Sequence, residues 1–278
     1  MFKVTVNAET AARIESSEVN AWLDMYAACP RDFACRYGLD ILSIGSIVLT
    51  RCKAIPFVHF NCVLNLGISE PATEEQVDEV IALYGDAGVK EFAFFHIPQS
   101  KPAELREWLL KRNFRERGGW ERIYRANGAR AGDTLGDLNG SMIEKVTPET
   151  AHEWAEFICS TYSLSTKPWL LALAERAGWH HYLLRREGQP AAARSMYVHS
   201  DRMAWLGIDA PVPGLMAPSF DYDAMICREM VKDGLRLGVE CFVADIEAPS
   251  ASMATPAYRN FETLGFKLPY FRSHYVCK

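Results

Sequence analysis

Four ionisable side chains in the second half of the sequence lie at or near the ends of predicted strands, where they could take part in proton transfer. His199 and Asp209 end two successive strands, and Asp245 and Glu247 lie near the end of a later one. A carboxylate or an imidazole can accept a proton from a reacting group, so all four are candidate general bases. The alternative is that they are solvated charges, the usual state of such residues at strand ends.

Other patterns that carry chemistry are absent from the sequence. It contains no Ser-His-Asp grouping, no P-loop and no dinucleotide-binding fingerprint. Cys52, His59 and Cys62 are residue types that bind zinc. However, the last two fall within an apolar strand pattern and a fourth ligand is missing, so we expect no metal. The eight cysteines form no CxxC pair and are predicted to be buried thiols in a reducing compartment.

Length and composition indicate a soluble globular protein. The 278 residues are 49% hydrophobic and 23% charged, which suits one large domain or two of ordinary size. The net charge of −5 argues against a nucleic-acid partner, because phosphate backbones require a basic surface. No apolar run reaches the roughly 20 residues needed to span a bilayer. The first residues resemble a strand rather than a signal peptide, so we expect a cytoplasmic protein without a membrane partner.

The second half of the sequence repeats the end of the first. Gly88–Phe95 (GVKEFAFF) returns as Gly238–Asp245 (GVECFVAD), and in each copy a short helix and a strand that begins with Phe follow. Residues 126–140 hold four glycines and read as a linker. The sequence therefore predicts two copies of one α+β unit, residues 1–125 and 141–278, each with a mostly antiparallel sheet flanked by helices.

Local patterns place the elements within each copy. Apolar runs predict strands over residues 41–50 and 57–66, and Thr73–Gln76 is a capping box that begins a helix. In the second copy, residues 180–187, 191–199 and 202–209 predict an antiparallel meander. Ser219 is a suitable cap for the long helix that follows the meander.

The segment Ala257–Phe266 (AYRNFETLGF) resembles the helix-to-strand signature of the GCN5-related N-acetyltransferase (GNAT) superfamily. That signature is roughly Ala-x-x-x-Tyr-x-x-x-Gly-Phe, and Ala257, Gly265 and Phe266 match it in register. The resemblance covers about residues 141–278 and extends more faintly to the first half. The chain is thus identified as a tandem member of this superfamily with a degenerate N-terminal copy.

This resemblance implies an acyl-CoA cosubstrate, most simply acetyl-CoA, and transfer of its acyl group to an amine. It implies that a backbone N–H of the fourth strand of the second copy polarises the acyl carbonyl. Asp209 and Glu247 end the two strands that separate to admit the pantetheine, which makes them the preferred bases. The implied cofactor-binding residues are Leu206, Gly207, Ile208, Ser219, Ser250 and Arg259.

Three departures from the family pattern affect the predicted chemistry. Ala254 replaces an asparagine of the family, with Ser250 and Ser252 nearby as hydrogen-bond donors. The tyrosine that protonates the leaving thiolate is replaced by Phe261, so Tyr258, three residues earlier on the same helical face, is the candidate acid. The pyrophosphate-binding loop keeps only Gly214 and is followed by Asp221 and Asp223, which should repel phosphate. The loop of the first copy is equally acidic.

Two functions therefore remain open, beside a purely structural role as a pseudo-symmetric dimer within one chain. The first is an N-acyltransferase that acts by direct transfer on an amine of a small molecule or peptide, with a homodimer also open. The second is a catalytically silent protein of the same fold that binds a ligand or regulates a partner. The altered loop and Phe261 favour the second, whereas the signature and the order of elements favour the first.

Overall fold

A computed structural model describes residues 3–55, 57–129, 140–211, 220–247 and 255–277. The side chains of residues 220, 247 and 255–258 are outside this description. The chain forms two compact units, a first unit of residues 5–121 with 270–278 and a second unit of residues 1–4 with 122–269. None of the described helices is long and apolar enough to cross a membrane.

The first unit combines a sheet with helices. Its helices are α1 (Ala8–Ala27), α2 (Arg31–Tyr37), α3 (Glu74–Asp86) and α4 (Leu105–Lys111). Its strands, in hydrogen-bonded order, are β1 (Leu39–Ile44), β2 (Ile47–Cys52), β3 (Cys62–Leu64), β4 (Ala93–His96), the part of β11 (Lys267–Cys277) from residue 270 onward and the part of β5 (Phe114–Ala126) up to residue 121. β3 and β4 are parallel, and the other recorded pairs of this unit are antiparallel.

Two strand predictions for the first unit were wrong. Residues 41–50 are not one strand, because Gly45 adopts a φ of 57° and turns the chain into the β1–β2 hairpin. Residues 57–66 begin with a 3-10 turn at Val58–Phe60, and only Cys62–Leu64 is extended. The capping box is confirmed: the Thr73 hydroxyl accepts from the Gln76 N–H, and the Gln76 side chain accepts from the Thr73 N–H.

The two chain ends lie in the opposite unit from the one that the repeat suggests. Ser273–Val276 of β11 pairs antiparallel with β4, which places the end of the chain in the first unit. Lys3 forms a parallel bridge with Leu268, within the second unit. The expected linker, residues 126–140, lies largely outside the described residues. Superposition of the two halves stays a prediction.

The second unit has helices on both faces of its sheet. Its helices are α5 (Ala151–Tyr162), α6 (Lys167–Ala174), α7 (Phe220–Arg236) and α8 (Thr255–Thr263). Its strands, in hydrogen-bonded order, are β10 (Cys241–Glu247), β9 (Met203–Ala210), β8 (Gln189–Val198), β7 (Trp179–Arg186) and β6 (Ser141–Lys145), and residues 122–126 and 267–269 also belong to this unit. β7, β8 and β9 form the predicted antiparallel meander, whereas β9 and β10 are parallel.

Alternating residues of β8 divide the core of the second unit into two clusters. Met196 packs with apolar residues of α7 and α8, including Met230 and Phe261. Ala193 packs on the other face with α5, where Trp154 is fully buried. Successive strand residues point to opposite faces, so this sheet separates an α7/α8 layer from an α5/α6 layer.

Candidate functional site

β9 and β10 of the second unit are paired over only part of their length. The recorded pairs run from Met203 with Cys241 to Leu206 with Ala244. Both strands continue beyond this last pair. The recorded pairing therefore stops where the family resemblance places the acyl-CoA cleft.

β9 contains a bulge just beyond its last pair with β10. The register on β8 shifts between Ala193 and Ser195, so that Ile208 and Asp209 together lie opposite Arg194. Ile208 has a φ of 50°, which an L-residue adopts only when its surroundings require it. A bulge removes residues from the ladder and redirects their backbone groups. The backbone of the predicted carbonyl-binding segment is therefore not that of a regular strand.

A side chain on the same strand requires the glycine in this segment. The indole of Trp205 lies over Gly207, and a Cβ at this position would overlap its ring carbons. Trp205 is buried and meets Trp179 edge-on, with ring centroids 6.4 Å apart. Any larger residue at position 207 would displace the indole and with it the backbone that leads into the bulge.

A buried arginine lies opposite this bulge. Arg194 of β8 is 2% exposed and forms an ion pair with Asp223 in the first turn of α7. A second guanidinium nitrogen donates to the Leu206 carbonyl at 3.3 Å. The guanidinium also lies 5.9 Å from the ring centre of Phe261 in α8. An arginine within an apolar strand pattern was the one sequence signal that could have revealed this residue.

The ion pair keeps Arg194 charged despite its burial. Removal from water is the largest effect and disfavours the charged guanidinium, but the attraction of Asp223, together with its hydrogen bond and the electrostatic effect of Cys227 and Asp209, outweighs this and raises the pKa of Arg194. Burial also raises the pKa of the Cys227 thiol, whose sulfur lies 3.9 Å from an Asp223 oxygen. This side of the bulge is therefore polar and water-poor.

Asp209, a predicted base, lies half-buried in the bulge. Its backbone carbonyl accepts a hydrogen bond from the Tyr162 hydroxyl at the end of α5. Its carboxylate acts electrostatically on Arg194 and Cys227, which places its charge near the buried pair. The structure thus brings Asp209 together with Leu206–Ile208, and it adds Tyr162, which no sequence pattern had indicated.

The other two strand-end candidates have different surroundings. Asp245 forms a 3.0 Å ion pair with Arg122, and both side chains are buried. His199 lies before β9 begins, with its Nδ1 3.0 Å from an oxygen of Asp201. At about 3.3 Å per residue, the length of β9 separates His199 from the bulge. The ion pair with Arg122 engages the Asp245 carboxylate, and distance separates His199 from the bulge, so neither is favoured as the base for a reaction there.

The side chains of four predicted site residues lie outside the described part of the chain. Ser219 and Ser250 lie outside the described residues. Glu247 is the last residue of β10 and Tyr258 lies in α8, but only their backbone is within the description. Arg259 is described and is exposed on α8.

The expected repulsion of phosphate needs correction for one of the two aspartates. Asp223 is buried and paired with Arg194, so its charge is already compensated. Asp221 remains on the first turn of α7, where its carboxylate lies 3.4 Å from the side-chain amide of Asn260 in α8. The sequence could not distinguish the two, because only the fold brings an arginine to one of them.

The corresponding strand ends of the first unit are joined by hydrogen bonds. β3 and β4 are parallel, and the segments that follow them meet at Lys101. The Lys101 N–H donates to the Gly67 carbonyl at 2.6 Å, and the Ala72 N–H donates to the Lys101 carbonyl at 2.9 Å. The capping box of α3 also satisfies the N–H groups of Thr73 and Gln76, which leaves fewer donors for an anion at this helix end.

The remaining sequence candidates lie in the interior of the first unit. The Cys62 thiol lies 3.3 Å from the Thr50 hydroxyl, and burial raises its pKa to about 12. His59 packs on Trp120 with ring centroids 4.8 Å apart. Burial lowers the pKa of His96 on β4. Among the described residues, no three His, Cys, Asp or Glu side chains are grouped as metal ligands would be.

Comparison with known proteins identifies the fold. No family model and no curated protein matches the sequence. A GCN5-related N-acetyltransferase from Kribbella flavida superposes with a TM-score of 0.63 at 14% identity, over 96% of this chain and 95% of that chain. A GCN5-related N-acetyltransferase from Sphaerobacter thermophilus has a TM-score of 0.56 at 11% identity, over 84% of this chain and 81% of that chain.

A third solved structure matches almost the whole length of the chain. It is a tandem GNAT protein from the clavulanic acid biosynthesis pathway, with a TM-score of 0.53 at 12% identity over 99% of this chain and 97% of that chain. The chain therefore has the GCN5-related N-acetyltransferase fold, in its tandem form. The α+β fold predicted from the sequence is confirmed.

Proposed function

We propose that the protein is an acyl-CoA-dependent N-acyltransferase whose active site lies at the β9 bulge of the second unit. The observation that carries this proposal is the parallel β9–β10 ladder, which ends at Leu206–Ala244 and is followed at once by the bulge at Ile208. In the GNAT fold, this is the position at which a thioester enters. Acetyl-CoA is the expected cosubstrate, and an amine of a small molecule or peptide is the expected acceptor.

Each step of the reaction has a candidate group. A base removes a proton from the acceptor ammonium, and the amine nitrogen then attacks the thioester carbonyl. Backbone N–H groups of Leu206–Ile208 stabilise the charge on the carbonyl oxygen. The C–N bond forms, the C–S bond breaks, and the departing thiolate takes a proton. Asp209 or Glu247 is the proposed base, and the Tyr258 phenol, which is protonated at neutral pH, is the proposed acid.

Two observations support the proposed compartment and the proposed class of acceptor. All eight cysteines lie in the described part of the chain, and none forms a disulfide. This agrees with the reducing cytoplasm, where we expect the protein to act. The net charge of −5 supports a small-molecule or peptide acceptor rather than a nucleic acid.

The first experiment measures the melting temperature with saturating acetyl-CoA and, separately, with desulfo-CoA or adenosine. A ligand of the folded state raises the melting temperature by mass action. We expect stabilisation by acetyl-CoA and release of free CoA thiol when a suitable amine from a panel is added. If acetyl-, propionyl- and longer acyl-CoAs all leave the melting temperature unchanged, the proposal is wrong.

A second candidate function is a silent GNAT-fold protein that binds acyl-CoA without turnover. The observation that favours it is the phenylalanine at position 261, where the family has its tyrosine. Phe261 is 2% exposed and packs edge-on against Phe266, with ring centroids 5.3 Å apart. Stabilisation by acetyl-CoA without release of CoA thiol, across primary and secondary amines and peptide amino termini, would favour this function over catalysis.

A further inference from the structure

We propose that Arg194 is a positioning residue, which holds the β9 bulge in the geometry that acyl transfer needs. This inference rests on the proposed function, because the bulge is the segment assigned to carbonyl binding. It concerns a residue outside that segment, on the neighbouring strand, which contacts the bulge from the α7/α8 side of the sheet. Asp223 is the partner that keeps Arg194 in place.

The contacts of Arg194 link three elements around the bulge. Its guanidinium donates to the Leu206 carbonyl, at the last residue of β9 that pairs with β10. The same group forms the ion pair with Asp223 of α7 and lies over Phe261 of α8. Because a guanidinium is planar and carries several donors in fixed directions, one side chain can hold the strand and the helix together.

The position of Arg194 in the sheet explains why this contact matters. Arg194 is the single β8 residue opposite both Ile208 and Asp209. A bulge has fewer ladder bonds than a regular strand, so its geometry depends more on side chains around it. The hydrogen bond to the Leu206 carbonyl fixes the peptide that joins Leu206 to Gly207, one residue before Ile208. The φ of 50° at Ile208 is unfavourable for an L-residue and depends on such support.

The first unit has a different residue at the corresponding position. There, Val48 pairs with Leu64, and the next residue, Asn65, has a positive φ of 64°. In the second unit, Ser195 pairs with Gly207, and the next residue, Ile208, likewise has a positive φ. The β2 residue that corresponds to Arg194 is Ile47, which is buried in an apolar cluster. A buried arginine, Arg194, therefore lies beside the strand end that is proposed to be active. An apolar residue, Ile47, lies at the corresponding place in the first unit, where the Lys101 backbone joins the strand ends.

The test compares four variants with the parent protein. Arg194→Met removes the hydrogen bond to the Leu206 carbonyl and the ion pair with Asp223, and it leaves Asp223 buried without the arginine. Arg194→Met with Asp223→Leu removes the whole ion pair, and apolar replacement of a buried pair often leaves stability unchanged. Arg194→Lys keeps the charge but loses the fork of donors. Arg125→Met is the matched control, because Arg125 is buried in the same unit and donates to the carbonyls of Leu264 and Ala129.

Two measurements separate positioning from a purely structural role. The first is kcat and KM for acyl transfer at a temperature well below the melting temperature of every variant, normalised to acyl-CoA binding sites. Loss of a carbonyl-binding donor typically lowers kcat by about 10²–10³-fold. We expect at least a tenfold lower kcat for Arg194→Met and for the double variant, a smaller loss for Arg194→Lys, and none for Arg125→Met.

The second measurement is amide hydrogen exchange of residues 206–210, which needs no turnover. Exchange there should be faster in Arg194→Met and in the double variant than in the parent, but unchanged in Arg125→Met. A double variant that regains stability yet keeps a low kcat and fast exchange supports positioning. Recovery of kcat together with stability, or unchanged exchange at the bulge, overturns it. A parent protein that binds no acyl-CoA refutes the proposed function instead, while the exchange result still decides the role of Arg194.

Discussion

The backbone of Lys101 is hydrogen-bonded to Gly67 across the parallel strand ends of the first unit, with the Lys101 nitrogen 2.6 Å from the Gly67 oxygen. Gly67 has a φ of 70°, and a Cβ there would overlap the Lys101 carbonyl oxygen. The glycine thus permits the two segments to approach closely. On the proposed function, the segments that follow the parallel strands β9 and β10 admit the pantetheine in the second unit, whereas in the first unit this contact joins the segments that follow β3 and β4.

The first prediction concerns the number of acyl-CoA sites. Because the Lys101 backbone joins the segments that follow β3 and β4, and the capping box of α3 uses two of the N–H groups at its start, only the second unit should bind acyl-CoA. Isothermal titration should give about one acetyl-CoA per chain. The variant Ile208→Pro, which disturbs only the second unit, should abolish binding. A stoichiometry of two would show that the Lys101 segment moves aside and would contradict this account.

A second prediction concerns a buried ion cluster that completes the first unit. Arg272 of β11 pairs with Glu15 and Glu18 of α1, and all three side chains are less than 10% exposed. Arg272→Met would leave two buried carboxylates without this partner, which should cost on the order of 3–5 kcal/mol in the free energy of unfolding. Urea denaturation measures this loss.

The matched control is Arg202→Met, which removes an exposed ion pair with Glu240 in which the arginine side chain is 66% exposed. Exposed pairs contribute little, so its denaturation midpoint should stay close to that of the parent. Arg272→Lys should recover part of the loss, because it keeps a charge. Equal effects of Arg272→Met and Arg202→Met would mean that the cluster does not stabilise the unit.

Local sequence patterns predicted the parts of this fold that depend on neighbouring residues. The capping box at Thr73 is satisfied three residues later, and the meander follows from alternating patterns and short turns. The Arg194–Asp223 pair joins residues 29 positions apart, and Arg272 reaches Glu15 across 257 positions. Such pairs depend on the packing of distant elements, so Asp223 had to be interpreted from sequence as an uncompensated charge.

The third prediction concerns acid stability and His181. This residue is buried, with Nδ1 2.7 Å from the Ser195 hydroxyl, and burial lowers its pKa to about 3. The folded protein therefore keeps His181 neutral, whereas the unfolded chain binds a proton below about pH 6.5. Stability should fall as pH decreases from about 6.5 toward 3, with a contribution of up to about 1.4 kcal/mol per pH unit from this group.

His181→Gln should reduce that dependence, measured as the difference between urea midpoints at pH 7 and pH 5. The control is His152→Gln, at an exposed histidine on α5, which should leave the difference unchanged. If His181→Gln lowers stability equally at both pH values, the histidine contributes by packing against Trp154 rather than by its protonation.

The last prediction concerns the leaving-group proton and separates the two candidate functions. Phe261 packs against Phe266 within the apolar cluster of α7 and α8, so the hydroxyl of Phe261→Tyr would enter the core. A buried hydroxyl without a partner costs about 1–3 kcal/mol, and we expect a lower melting temperature and no gain in turnover. Tyr258→Phe, in contrast, should lower turnover by about 10²–10⁴-fold with acyl-CoA binding nearly intact, as expected for loss of a general acid. A rate increase in Phe261→Tyr would show instead that position 261 faces the thioester, and an unchanged rate in Tyr258→Phe would assign the proton to water or another residue.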